Sequence, residues 1–440
     1  MRILSAISTF GALGCSVLSA PADTNHASTG PTWRYSGVWL SSPRASVATA
    51  VVGSLAFFAG GDSSSGQPTD TVDIYDDSTD QWTTEHLSEA RRFVTGATVA
   101  NRYAIFAGGI KSPSGNYSQA VDVYDVKTRT WLSPLVLAVP RGSVSAVVVG
   151  DKTVLLGGNQ DVVPGADVGG MTPSNAVDII DRDLNVYSYF VLPSAADEHR
   201  DITKQPTLSL PALAFSPAVG SYAVGNSTVG VIAGGYYFDY PHTLRPLQRV
   251  DARTRLITPE SLAAFMANPI DSDLLVKGPA LTAPVLDAKG VLAGETFLYA
   301  GGRIPPSALP TEKSDQGSRF SANVTILAIA DAVQSQWVAQ VPQLSEPRSE
   351  LAAASVANGR YALFAGGLVN DAFGLVTKSI DIFDTTTNQF VGRDQHPGFH
   401  IPRSAAAAVV VNDCKVMFAG GWIMGRVNAT AAVDIFDMCV

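Results

Sequence analysis

Charge, sulfur and imidazole are all scarce in this chain. Of its 440 residues 16% are charged, six are histidine and three are cysteine. So few histidines and cysteines leave little material for a soft-ligand metal centre. Three cysteines also exclude a small scaffold held together by dense disulfides. Basic excess is missing as well: 39 acids outnumber 30 lysines and arginines, for a formal charge of −9 and a pI near 5.1. That balance argues against nucleic acid or an anionic membrane as partner. Beyond the N-terminus no run approaches the roughly 18 apolar residues that span a bilayer, so no membrane span is expected.

What is abundant is glycine, and it recurs in pairs. An apolar run ends in a double glycine seven times, at Gly60-Gly61, Gly108-Gly109, Gly157-Gly158, Gly234-Gly235, Gly301-Gly302, Gly366-Gly367 and Gly420-Gly421. Self-similarity of this kind marks a repeat architecture. The first two copies continue in the same way, through Val72-Asp73-Ile74-Tyr75-Asp76 to Trp82 and through Val121-Asp122-Val123-Tyr124-Asp125 to Trp131. Alternation with period two and β-branched enrichment read as strands. Each unit is then four strands, a to d, with the glycines closing b and the tryptophan on d. Glycine at that place lets the backbone bend or approach a neighbour where a Cβ would collide.

An apolar run, a double glycine, and a spaced tyrosine and tryptophan resemble the Kelch repeat, over roughly residues 33–440. The resemblance implies an all-β fold, a seven-bladed propeller of four-stranded blades. Later copies depart from the pattern. Ile180, Phe383 and Phe436 stand at the tyrosine position, Phe390 at one tryptophan position, and the fourth copy offers only Val250-Asp251 and Leu256. The chain ends on a strand c signature, Val433-Asp434-Ile435-Phe436-Asp437, whereas Tyr35 to Leu40 reads as a strand d with no blade of its own. The N-terminal strand is expected to complete the last blade.

Residues 1–22 read as a secretory signal peptide, with Arg2, an apolar stretch and Ala20-Pro21-Ala22. A short linker, 23–32, precedes the propeller at 33–440, and the expected localisation is extracellular. Cys15 would leave with the signal. Cys414 opens strand b of the last blade and Cys439 closes strand c, so antiparallel pairing makes a disulfide natural; two free buried thiols are the alternative. Sequons stand at Asn116, Asn226, Asn323 and Asn428.

Alternating strands put the d–a and b–c connections on one face. The long b–c segments (about 159–176, 303–322, 422–432) and the segments about 190–210 and 257–278, read as d–a, would all decorate it. Loops of such length are usually functional or disordered. On the same face Arg44, Arg91, Arg141, Arg348 and Arg403 begin strand a of five copies, while the other two have Gln205-Pro206-Thr207 and Gly278-Pro279-Ala280. Two readings stand for them: an oxyanion-binding ring at the channel mouth, or bonds to carbonyls and acids between blades. Tyr236, Tyr237, Tyr240 and His242 form an aromatic cluster able either to stack on sugars or peptides or to pack over the blade. Asp394, His396 and His400 are weak metal candidates, with solvation the alternative.

A copper-radical oxidase on a Kelch scaffold needs tyrosines, histidines and a cross-linked cysteine. No histidine follows His400, and the two later cysteines share the last blade. The expectation is therefore a secreted, non-catalytic propeller without cofactor, binding a protein or glycan through its long-loop face. The alternative is a carbohydrate-active enzyme on this scaffold, copper-dependent or a sugar-acid isomerase.

Overall fold

The computed structural model describes residues 32–438 apart from 113–114, 161–171, 175, 190–217, 225–226, 234–235, 240–246, 251–252, 270–271, 281–286, 295, 305–318, 329–335, 338–341, 371–372 and 392–397. The first sheet sets the pattern: strand a Ala48–Val52, b Leu55–Ala59, c Thr69–Asp76 and d Gln81–Arg91, each antiparallel to the next. Inner strands of further sheets follow at Thr95–Val99, Ser145–Val149, Ala218–Val224, Lys289–Ala293, Ala352–Val356 and Ala407–Val411. Each inner strand lies beside the next, and Ala407–Val411 lies beside Ala48–Val52, so the ring is closed. The molecule is an all-β propeller; the described helix is one short segment, Pro259–Ala267.

Six of these sheets are blades of four strands. The sheet at the second double glycine departs from that form: Leu135–Val136 pairs with Ala120–Val121 and adds a fifth strand beside Thr130–Trp131. Closure is made by the N-terminal strand. Thr32–Trp39 runs antiparallel to Ala432–Asp437, with Thr32 opposite Asp437 and Trp39 opposite Ala432.

The b strands are the core. Leu55–Ala59 and Tyr103–Ala107 are buried at every residue, because they pack on the neighbouring blades with both faces. Phe57, Phe106 and Tyr124 share one cluster across the first two blades. The tyrosine–tryptophan spacing is a cross-strand pair: Tyr75 stands opposite Trp82, with ring centroids 5.2 Å apart, and Tyr124 opposite Trp131 at 5.1 Å. Such pairs stabilise by about 0.5–1.5 kcal/mol beyond their buried area. On the face opposite the long connections, a–b hairpins turn on left-handed pairs such as Ala100-Asn101 (φ 51° and 51°) and Asn412-Asp413 (51° and 54°). That is the handedness two-residue hairpins require.

Two expectations need correcting in the fourth blade. Its strand c is Arg253–Ile257, paired with the b strand, whereas Val250 ends a separate hairpin and Asp251 lies outside the described residues. Its strand d is Val276–Ala280, so Gly278-Pro279-Ala280 opens no inner strand. The segment between them is thus a c–d connection on the other face. It carries the helix, capped by Thr258, whose hydroxyl accepts the Ser261 N–H at 3.1 Å.

Candidate functional site

The repeated arginines are not a ligand-binding ring. Arg44, Arg91, Arg141, Arg348 and Arg403 are each fully buried. Their guanidiniums pair with the strand c aspartates of their own blades: Arg44 with Asp73, Arg91 with Asp122, Arg141 with Asp178 (2.6 Å), Arg348 with Asp381 (2.7 Å) and Arg403 with Asp434 (2.7 Å). They also donate to carbonyls of strand b, as Arg403 does to Phe418 at 3.0 Å. Burial lowers the pKa of Arg44, Arg91 and Arg141, against the pull of these carboxylates. Meanwhile the arginine backbone serves the preceding blade. The Gly61, Gly109, Gly302, Gly367 and Gly421 N–H groups donate to the carbonyls of Arg91, Arg141, Arg348, Arg403 and Arg44 at 2.8–3.0 Å. Each arginine therefore ties two blades together. In the fourth and fifth blades, Arg255 and Thr325 stand opposite Ile232 and Tyr299, at the register of the aspartate. The partners are absent together.

The face bearing the b–c and d–a connections carries a crown of hairpins. Six b–c connections open as two-stranded ribbons; in the first, Asp62–Ser63 pairs instead with Arg44–Ala45. The ribbons Leu368–Asn370/Leu375–Val376 and Trp422–Met424/Val427–Ala429 touch through their tips, where the Gly425 N–H donates to the Gly374 carbonyl at 2.8 Å. These two tips expose Phe373 (74%), Leu375 (53%), Ile423 (38%), Met424 (59%) and Val427 (57%). They hold five of the nine large hydrophobic residues exposed among the described residues. Contiguous apolar exposure of this kind marks an interaction surface more often than chance.

Beside the tips, charges converge at the channel mouth. Glu350 accepts from Arg303 at 2.9 Å, from Arg426 at 3.0 Å and from the Ser404 hydroxyl at 3.2 Å, and Arg303 also reaches Asp287 at 3.4 Å. Both acids sit on left-handed backbone, φ 53° each, at the position also taken by Ser46, Phe93, Ser143 and Ala405. Non-glycine residues held there are strained, and such strain clusters at functional sites. Burial raises the Asp287 carboxyl pKa, which Arg303 partly offsets. Burial likewise raises Asp62, opposed by Arg92 at 3.3 Å. Below the mouth lies a cavity of about 400 Å³ lined by small residues, among them Thr49, Gly96, Ala97, Ala146, Ser221 and Ala408.

A Kelch motif model matches residues 43–85, from the start of the first blade through Gly60-Gly61, Tyr75 and Trp82. The closed ring repeats that blade. This is a Kelch-repeat propeller. No curated protein matches the chain. At the coarse level, a Kelch propeller fold suggests a protein-interaction scaffold.

The remaining sequence candidates fall in different parts of the Kelch ring. Tyr236 and Tyr237 lie in a ribbon, Tyr236–Asp239 paired with Leu247–Val250, and not in an open loop. Tyr240, His242, Asp394, His396, Asn226 and Cys439 lie outside the described residues. His400 is exposed and its backbone N–H donates to Asp434 at 3.1 Å. Among the described residues no three His, Cys, Asp or Glu side chains gather as for a metal ion. Asn116, Asn323 and Asn428 are exposed on b–c connections. Sequence reasoning missed Asp287, Arg303, Glu350 and Arg426. One signal was present: Glu350 stands two residues after a repeated arginine, where the other copies have small or aromatic residues.

Proposed function

We propose that this Kelch propeller is a secreted, non-catalytic binding protein that engages a protein or glycan through its crown face. The observation that carries the reading is the pair of touching ribbon tips with Phe373, Leu375, Met424 and Val427 exposed. A rigid ring beneath them lowers the entropic cost of presenting that surface. Aromatic and methionine side chains supply contact area adaptable to a partner. A photo-crosslinking side chain at Leu375 should trap the partner at the surface of the producing organism, while one at Arg129, on the opposite face, should not. Equal trapping at both positions sinks the reading.

Secretion follows from the N-terminal signal, and the sequons at Asn116, Asn323 and Asn428 would place glycans around the crown. A Cys414–Cys439 disulfide is part of the same proposal. Its support is the strand register: the Met438 N–H donates to the Cys414 carbonyl at 2.8 Å, one residue before Cys439. The intact mass of deglycosylated protein from the medium tests both parts. A chain beginning after Ala22 and two hydrogens light agrees; a full-length chain or a reduced one does not.

A further inference from the structure

Each inner strand ends its sheet, so strand b pairs with one of its edges and the other faces the central channel. An open edge presents backbone N–H and C=O groups that have no ladder partner. Their direction is visible where the next blade meets them. The Thr98 carbonyl accepts from the Thr153 hydroxyl at 2.6 Å, and the Val148 N–H donates to the Ser221 hydroxyl at 2.7 Å. A Cβ on Gly96 would run into the Thr49 carbonyl. The channel wall here is neutral and polar, with donors and acceptors side by side.

The cavity of about 400 Å³ lies against this wall in the first four blades and the last. Thr49, Thr98 and Ser221 bring hydroxyls to it, and its other lining residues are glycine, alanine and valine. Among the described residues no charged and no aromatic side chain lines it. The Thr49 and Thr98 hydroxyls have no hydrogen-bond partner among the described residues. The Ser221 hydroxyl, having accepted the Val148 N–H, still has its proton to donate.

A polar cavity of this size is hydrated, so a ligand must replace water there. A carboxylate or an ammonium would give up its hydration with no counter-charge in the lining to meet it. An apolar body would leave the hydroxyls and the strand edges unpaired. A ligand hydroxyl replaces water on like terms, because it donates and accepts at one atom. We propose that the central channel binds a small neutral sugar, held by the Thr49, Thr98 and Ser221 hydroxyls and by the open edges of the inner strands. The cavity is near the lower end of the range for ligand pockets, about 300–1,000 Å³, which suits a monosaccharide. The site lies inside the ring and does not depend on the apolar ribbon tips.

The test is ligand-observed NMR on the full-length protein with glucose, galactose, mannose and xylose, and with acetate as the charged control. Calorimetry then gives the affinity of any sugar that binds. Thr49→Val combined with Thr98→Val removes two unpartnered hydroxyls at nearly constant shape, and affinity should fall about tenfold or more. Ala408→Val narrows the cavity instead. Thr49 and Val219 already carry branched side chains at that register, so its melting temperature should hold while the sugar is lost. The ribbon-tip variant Phe373→Ser, Leu375→Ser, Met424→Ser should bind the sugar as the intact protein does. The proposal is overturned if none of these sugars binds at millimolar concentration, or if acetate binds as tightly. It is equally overturned if both folded channel variants bind undiminished, or if the tip variant loses the sugar.

Discussion

The carbonyl oxygen of Arg91 lies 2.6 Å from where a Cβ on Gly60 would stand, and it accepts the N–H of Gly61 at 3.0 Å. The same crowding recurs between Gly301 and Arg348 (2.6 Å) and between Gly366 and Arg403 (2.5 Å). The double glycine and the arginine of the next blade are therefore one device. Glycine admits the arginine carbonyl, and the arginine side chain then reaches its own aspartate.

Gly60→Ala should destabilise the ring by more than about 2 kcal/mol, since strain at φ +61° adds to a backbone collision. Gly150→Ala is the control. Its φ is +60° but nothing lies within 4 Å of the added Cβ, so about 1 kcal/mol is expected. Denaturant melts of both variants give the comparison, and equal losses would contradict the collision.

Removing one member of a buried pair should be worse than removing both. Asp381→Ala removes the closer carboxylate of the buried Arg348 guanidinium and leaves it Glu346 at 3.7 Å, at about 3–5 kcal/mol. Combining Arg348→Met with Asp381→Leu should recover a large part of that loss. A double variant no more stable than Asp381→Ala would show that the arginine's carbonyl bonds, and not the ion pair, dominate.

Acid should loosen the opposite face. At Asp76, burial raises the pKa, but hydrogen bonds from Ser78, Arg129 and Ser54 outweigh it and hold the carboxyl below its usual range. A hydrogen bond from Arg102 lowers Asp125. At Asp384, bonds from Thr386 and Arg360 outweigh burial in the same sense. A folded pKa below the unfolded one means fewer bound protons in the fold. The stabilisation is present above the unfolded value, about 3.9, and is lost as pH falls through the folded values. Urea unfolding as a function of pH should show this loss, and Asp125→Asn should flatten part of it. An unchanged acid slope would remove Asp125 from the account.

Much of the ring was legible because its repeats are local. The apolar b strands, the glycines and the Tyr75–Trp82 spacing each follow from strand periodicity within one blade. What joins blades was harder to read. Arg91 contacts Gly61 of one blade and Asp122 of another, and no window of sequence displays both. The fourth blade misled for a physical reason: Val250-Asp251 imitates strand c, yet Arg255 occupies the aspartate register, and the c–d connection holds a helix where the first blade holds a tight turn. The channel-mouth charges were invisible for a related reason. Asp287, Arg303, Glu350 and Arg426 come from three blades and meet only when the ring closes.

The central claim is that recognition resides in the crown tips and stability in the ring below. The most direct measurement compares partner capture and melting temperature for the intact protein and the triple variant Phe373→Ser, Leu375→Ser, Met424→Ser. These side chains are exposed, so each change should alter stability by no more than about 0.5 kcal/mol. The account predicts an unchanged melting temperature with capture abolished. Full capture by the folded variant would contradict it.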